Sequence, residues 1–237
     1  MRILPLILLL LFFDLSVFAE PNIIGGTEVA ANDDIAMMTV AVHTIDDVYG
    51  CTGSILDDQT ILTAAHCIQA NTKIAFTRDV RSAVNSTDIR KVTNVKIIHE
   101  LGEVALTWEH INDEAQDLAI LTFTGGLPAG YHAIKYFTSA EFKMIVKKGT
   151  RLEIAGYGRD DDFNRGVLKK TEVTVKKVGP INIWAGDPAH TSFIGDSGGP
   201  AFYKFKGEYY QVGVISRASD RKAKYGAPTI FTRFSGL

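Results

Sequence analysis

Gly195-Asp196-Ser197-Gly198-Gly199-Pro200 is the stretch on which the reading of this chain turns. A serine hydroxyl is a weak nucleophile at neutral pH. It needs a base beside it, a group that orients the base, and donors for the oxyanion that forms. Ser197 stands among glycines, which let the backbone take tight or positive-φ conformations and aim main-chain N–H groups into a concave site. By itself the hexapeptide reads equally well as an ordinary glycine-rich turn, so its meaning depends on what the chain supplies elsewhere.

Among the six histidines, His66 stands apart. It lies in Thr63-Ala64-Ala65-His66-Cys67, directly after an apolar run and beside a cysteine that a disulfide could pin. A tethered base is what positional catalysis requires. Short alternating or apolar runs recur along the chain, at Ala36–His43, Ser54–Leu62, Val92–His99, Leu118–Phe123, Arg151–Tyr157, Leu168–Val178 and Tyr209–Ser216. Several are rich in Val, Ile, Thr and aromatics and are bounded by turn residues, as strands are. Helical periodicity is weak except around Ser139–Val146, where loop and strand fit as well. The pattern predicts an all-β protein, barrel or sandwich. Gly125-Gly126-Leu127-Pro128-Ala129-Gly130 is the best linker, near the middle of the chain.

Composition narrows the setting. Arg2 precedes an apolar run from Ile3 to Phe13, and Val17-Phe18-Ala19 offers small residues before a cut. This reads as a secretory signal peptide over 1–19, too short for the roughly 20 apolar residues of a membrane span. Secretion to the periplasm or the exterior is expected, with no stable membrane insertion once the signal is removed. The formal net charge of −2 over 237 residues, with acids and bases intermixed, points away from nucleic acid. The only cysteines, Cys51 and Cys67, read in an exported chain as one disulfide, worth about 3 kcal/mol. A lone thiol pair offers no zinc site, and no metal or other cofactor is expected. Asp160-Asp161-Asp162 lacks the alternating ligand spacing of a calcium loop and reads as solvated surface. Asn85-Ser86-Thr87 is a glycosylation sequon, relevant only in a eukaryotic host.

Thr63–Cys67, Asp117-Leu118-Ala119-Ile120-Leu121 and Gly195–Pro200 resemble the three signature segments of the chymotrypsin–trypsin family, in that family's chain order. Ile23-Ile24-Gly25-Gly26 resembles its mature N-terminus, Cys51-Thr52-Gly53-Ser54 its first-barrel cysteine segment, and Gly156-Tyr157-Gly158 its interbarrel glycine–aromatic–glycine. The low cysteine count resembles bacterial members more than animal ones. The resemblance implies two antiparallel six-stranded β-barrels with the site in the cleft between them. It places the first barrel over 23–126 and the second over 127–237, after a signal over 1–19 and a propeptide over 20–22.

The same resemblance implies the roles. Ser197 would attack the scissile carbonyl, His66 would carry its proton, and Asp117 would orient the imidazole. The N–H groups of Gly195 and Ser197 would form the oxyanion hole, Ser216 would support Asp117, and a Cys51–Cys67 disulfide would lie behind His66. A freed α-amino group at Ile23 would pair with Asp196, making the precursor a zymogen; Asn22 precedes the cut in place of the usual Arg or Lys. Thr191, six residues before Ser197, occupies the pocket-floor position that is aspartate in trypsins. Ser216, Ala218 and Thr229 complete the expected specificity pocket. Without a fixed negative charge, the expectation is cleavage after small or medium uncharged residues. Arg217 replaces the usual groove tryptophan, and it either favours acidic residues upstream of the cut or points to solvent. Phe193 replaces a cysteine of the customary pocket disulfide, and the chain ends at Leu237 without the usual C-terminal helix.

The expected partners are protein or peptide substrates and protein inhibitors, with a monomeric chain and no nucleic acid. Two rival functions fit the same fold: a catalytically silent binding module, and an esterase using the same residues. Retention of His66, Asp117 and Ser197 argues against the first, and the family-type register argues for peptide over ester bonds.

Overall fold

The computed structural model describes residues 23–43, 49–81, 88–98, 103–104, 115–158, 166–219 and 226–236. The expected signal peptide and propeptide, Asn85, Asp160–Asp162 and Leu237 lie outside them. Twelve strands carry the fold. Those of the first half are β1 (Thr39–His43), β2 (Tyr49–Asp57), β3 (Thr60–Thr63), β4 (Lys73–Ala75), β5 (Ile89–Ile97) and β6 (Ala119–Phe123). Those of the second are β7 (Arg151–Gly156), β8 (Lys169–Val178), β9 (Asn182–Ala185), β10 (Pro200–Phe205), β11 (Glu208–Ala218) and β12 (Thr229–Arg233).

The first six close into a barrel in the order β1-β2-β3-β6-β5-β4. The second six pair as β7-β8-β9-β12-β11-β10, and the β10–β7 ladder closes that ring too. Both barrels are antiparallel, and their strand orders are the same shifted by six. The chain therefore repeats one topology twice without a sequence repeat to betray it. Closure removes the unpaired edges that an open sheet would expose.

Local chemistry explains where the strands differ from the sequence reading. Ala36–His43 is not one strand. Asp33 accepts a hydrogen bond from the Ile35 amide at 3.0 Å and caps a short helix, α1 (Asp34–Met38), so the strand begins at Thr39. Ser54–Leu62 is a hairpin. Asp57 Oδ1 accepts from the Gln59 amide at 2.8 Å and folds Asp57-Asp58-Gln59 back between β2 and β3. At Ser139–Val146 the structure has a helix, α2 (Ser139–Ile145), closed at its N-terminus by a Thr138–Glu141 capping box. Strands β4, β9, β10 and β12 carry no sequence expectation of their own.

The barrels are joined through their packing. One continuous core includes Val40, Ile61 and Leu121 of the first barrel with Ala155, Phe202 and Val214 of the second. A second core belongs to the second barrel, around Ile154, Val173, Ile183 and Phe231. The leading segment belongs with that second core: Ile23 is wholly buried in it, and Thr27–Glu28 pair with Lys169–Lys170 of β8. Lys170 fixes this crossing. Its Nζ donates to Asp33 at 2.6 Å and to Glu153 at 3.1 Å. Burial works against its charge, but the two carboxylates outweigh it and hold its pKa above the usual lysine range. Tyr157, fully buried just after β7, reaches back into the first barrel and donates its hydroxyl to the Thr77 carbonyl. No helix among the described residues is long and apolar enough to cross a membrane.

Candidate active site

Strand β3 delivers a short 3-10 turn, Ala65–Cys67, to the rim of the first barrel. Cys67 is joined to Cys51 of β2 by a disulfide, with Cα atoms 6.1 Å apart, so His66 is held from both sides of its backbone. Asp117 lies just before β6 and is wholly buried. A bare buried carboxylate would be costly, and this one is satisfied by three donors. Its Oδ1 accepts from the His66 amide at 3.0 Å, and its Oδ2 accepts from His66 Nδ1 at 2.7 Å and from Ser216 Oγ at 2.6 Å. Nδ1 therefore carries a proton, which makes Nε2 the nitrogen of this ring that can accept one. Ser216 comes from β11 of the second barrel, so this small network already spans both.

Facing His66 across the cleft is the turn 195–199. Gly195 has φ of 103° and Gly198 has φ of 83°, both in the region that favours glycine. A Cβ at Gly198 would sit 2.1 Å from Thr63 Oγ1 and 2.2 Å from the Thr52 carbonyl oxygen, so no other residue fits between the barrels there. Among the described residues, the N–H groups of Gly195 and Ser197 and the Ser197 hydroxyl have no hydrogen-bond partner. Both residues line the same open cleft as His66.

Asp196 points the other way, into the protein. It is wholly buried and accepts from the Gly158 amide and the Phe193 amide, each at 2.8 Å. Burial pushes its pKa up to about 6, against the pull of those two donors. Ile24 forms a bridge with Thr191, which brings the Ile23–Ile24 segment beside the chain leading to Asp196.

The cleft encloses about 480 Å³. The side where the specificity pocket was expected is lined by Ser192, Phe193, Ile194, Ala218, Gly226 and Ala227, with Arg217 along one wall. Of the residues expected there, only Ala218 lines it. Thr191, Ser216 and Thr229 are buried behind that surface, each at most 1% exposed. The Thr191 and Ser192 hydroxyls both meet Thr229 Oγ1, Thr191 from within the protein and Ser192 from the side of the cleft. Arg217, placed by sequence either in the groove or toward solvent, is 7% exposed and faces the groove.

Sequence reasoning also missed Thr52. Its Oγ1 donates to the Gly195 carbonyl at 3.2 Å and accepts from the Tyr157 amide at 3.1 Å, while its own amide donates to the Ser197 carbonyl at 2.8 Å. Position alone, next to Cys51, was the available signal. One grouping of possible metal ligands occurs among the described residues, Cys51, His66 and Cys67, and the disulfide consumes both thiols.

Two six-stranded barrels, with a buried aspartate–imidazole pair and a glycine-flanked serine on one cleft, define the class of double-barrel serine peptidases. The sequence profile described as Trypsin matches residues 23–237, and the chain belongs to that family of serine endopeptidases. A trypsin-like protease of Streptomyces glaucescens is 28% identical over 241 residues, covering 92% of this chain and 80% of the relative. Chymotrypsin-like elastase family member 1 of Bos taurus is 24% identical over 242 residues, covering 92% and 88%. Urokinase-type plasminogen activator of Gallus gallus is 25% identical over 214 residues, covering 79% of this chain but 49% of the relative, so the chain spans about half of that protein.

Proposed function

We propose that the chain is a secreted endopeptidase that cuts peptide bonds through an acyl-enzyme on Ser197, with His66 and Asp117 completing the triad. The observation that carries this reading is the fully satisfied Asp117 carboxylate, which orients His66 toward a cleft shared with Ser197. Ser197 Oγ attacks the scissile carbonyl carbon while His66 Nε2 takes its proton. Negative charge gathers on the former carbonyl oxygen, where the unpaired N–H groups of Gly195 and Ser197 are available to receive it. One such donor is typically worth about 3 kcal/mol in the transition state. His66 returns the proton to the leaving amine, and water then repeats the sequence to release the acyl group. The contact between serine and imidazole tightens when substrate fills the cleft.

Asp117 stabilises the transient imidazolium through its bond to Nδ1. The Cys51–Cys67 bridge limits how far His66 strays from that geometry. Asp196 supports the turn from inside: cleavage before Ile23 frees an amino group that neutralises this buried carboxylate. Primary specificity is for small or medium uncharged side chains, since no carboxylate lines the pocket among the described residues.

Casein digestion by the matured chain and by its Ser197→Ala variant tests the assignment. Digestion lost in the variant, with the fold intact, supports it; equal digestion by both refutes it. N-terminal sequencing of the active form tests maturation, which predicts Ile23 as its first residue.

A further inference from the structure

Behind the specificity side of the cleft lie three hydroxyl groups in a row. Ser192 Oγ is 2.7 Å from Thr229 Oγ1, Thr229 Oγ1 is 2.8 Å from Thr191 Oγ1, and Thr191 Oγ1 is 2.8 Å from the Ala227 carbonyl oxygen. The Ser192 amide also donates to Thr229 Oγ1 at 3.0 Å. Each hydroxyl has one proton to give and two lone pairs to receive, and this fixes the direction of the whole row.

The Ala227 carbonyl can only accept, so Thr191 must spend its proton there. The bond between Thr191 and Thr229 is then donated by Thr229. The bond between Thr229 and Ser192 must in turn be donated by Ser192. Thr229 Oγ1 is thereby complete, with one proton given and two received. Any other arrangement forfeits a bond within groups that are almost wholly buried: Thr191 is 1% exposed and Thr229 0%. An unmade buried bond costs about 1–3 kcal/mol. The row therefore ends at Ser192, which lines the cleft with its proton already committed and with no described residue donating to its lone pairs.

We infer that Ser192 is a specificity-determining residue that accepts a hydrogen bond from the side chain before the cut, and that the preferred substrates carry an uncharged donor there, foremost the carboxamide of Gln or Asn. The inference rests on the serine-peptidase reading above. A carboxylate meets lone pairs at Ser192 unless the row reverses and loses a bond. A cation finds no carboxylate among the described lining residues and has Arg217 on the wall. An aliphatic side chain fills the space but leaves the acceptor unanswered. A row of donors also polarises its terminal oxygen, which strengthens the acceptor.

The test uses matured protein and fluorogenic peptides that differ only at this residue: Gln, its near-isosteres Met and Glu, and Lys. Active sites are first titrated with an irreversible serine-directed inhibitor, and labelled Ser197 is confirmed by mass spectrometry. The expected kcat/KM for Gln exceeds that for Met and for Glu by about tenfold or more, the ratio that one good hydrogen bond supplies. Ser192→Ala brings the Gln-to-Met ratio close to one. Thr229→Val leaves the Ser192 proton without its acceptor and frees it to donate, which shifts the ratio of Glu to Gln upward. Thermal unfolding of both variants separates this effect from misfolding. Met, Glu or Lys cut as fast as Gln by untreated enzyme, from a preparation of which a separate aliquot labels at Ser197, overturns the inference and leaves the peptidase reading standing. Failure of Ser197 to label overturns both.

Discussion

Thr52 Oγ1, on the first barrel, donates a 3.2 Å hydrogen bond to the main-chain carbonyl of Gly195, on the second. The same oxygen receives the Tyr157 amide, so one buried hydroxyl ties the turn that bears Ser197 to both barrels. The Gly195 carbonyl shares its planar peptide with the Asp196 N–H, so this bond fixes the middle peptide of the turn, and the N–H groups of Gly195 and Ser197 on either side of it have no partner among the described residues. Thr52 is thus a positioning residue for the proposed oxyanion hole.

Thr52→Val keeps the shape and removes the hydroxyl. It leaves the Tyr157 amide and the Gly195 carbonyl without their partner in a buried place, at a cost of about 1–3 kcal/mol in stability. The expected kinetic effect is a fall in kcat of about tenfold with KM little altered, because donors to the oxyanion act in the transition state. Steady-state kinetics together with urea unfolding check both halves. A changed KM with kcat intact would contradict the positioning role.

Gly198→Ala places a methyl group against Thr63 Oγ1 and the Thr52 carbonyl and forces alanine to φ of 83°. The expected loss is more than about 3 kcal/mol, enough that expressed protein is largely unfolded. Circular dichroism against the parent chain, both with Ser197→Ala to prevent self-digestion, provides the comparison.

Asp196 gives the uncleaved chain a pH signature. Its folded pKa of about 6 lies above the usual 3.8 because burial penalises the anion. The folded state therefore binds the proton more tightly than the unfolded state. Stability is highest below about pH 4, falls as the pH rises to about 6, and is flat beyond. The difference of about two units corresponds to about 3 kcal/mol. Relative to an Asp196→Asn variant, the uncleaved parent should lose this much between pH 4 and 6.5 in urea titrations. In the matured chain the freed Ile23 amino group supplies a cation, and the loss should vanish. Equal slopes before and after maturation would contradict the proposed ion pair.

Replacing both Cys51 and Cys67 by serine opens a loop whose ends are 16 residues apart. The expected destabilisation is about 3 kcal/mol, read from the urea midpoint at constant m-value. Activity should fall more than stability alone accounts for, because His66 loses the anchor beside it.

What the sequence made legible was local. His66 beside Cys67, Asp117 before an apolar run and Ser197 among glycines each stand in a short segment whose residue types carry their own reason. The relationships between segments were not legible. Thr52 and Gly195 are separated by 143 positions, and a bond between them leaves no pattern in either neighbourhood. The shared strand order of the two barrels is likewise a property of pairing, not of residue identity. Thr191 and Ser192 show a finer limit. The counting reached Thr191, which is 1% exposed, while Ser192 beside it lines the cleft; both hydroxyls meet Thr229 Oγ1, a contact to a distant segment that neither neighbourhood encodes. The Asp57-Asp58-Gln59 turn failed for another reason: its apolar neighbours on both sides masked a short polar reversal.

The central claim is that Ser197 is made nucleophilic by His66. Matured protein and its His66→Ala variant should be treated with an irreversible serine-directed inhibitor and the adduct mapped by mass spectrometry. The account predicts rapid, stoichiometric modification at Ser197 in the parent and a rate lower by at least about a thousandfold in the variant. Modification at equal rates in both, or none at Ser197 in a folded, matured parent, would contradict it.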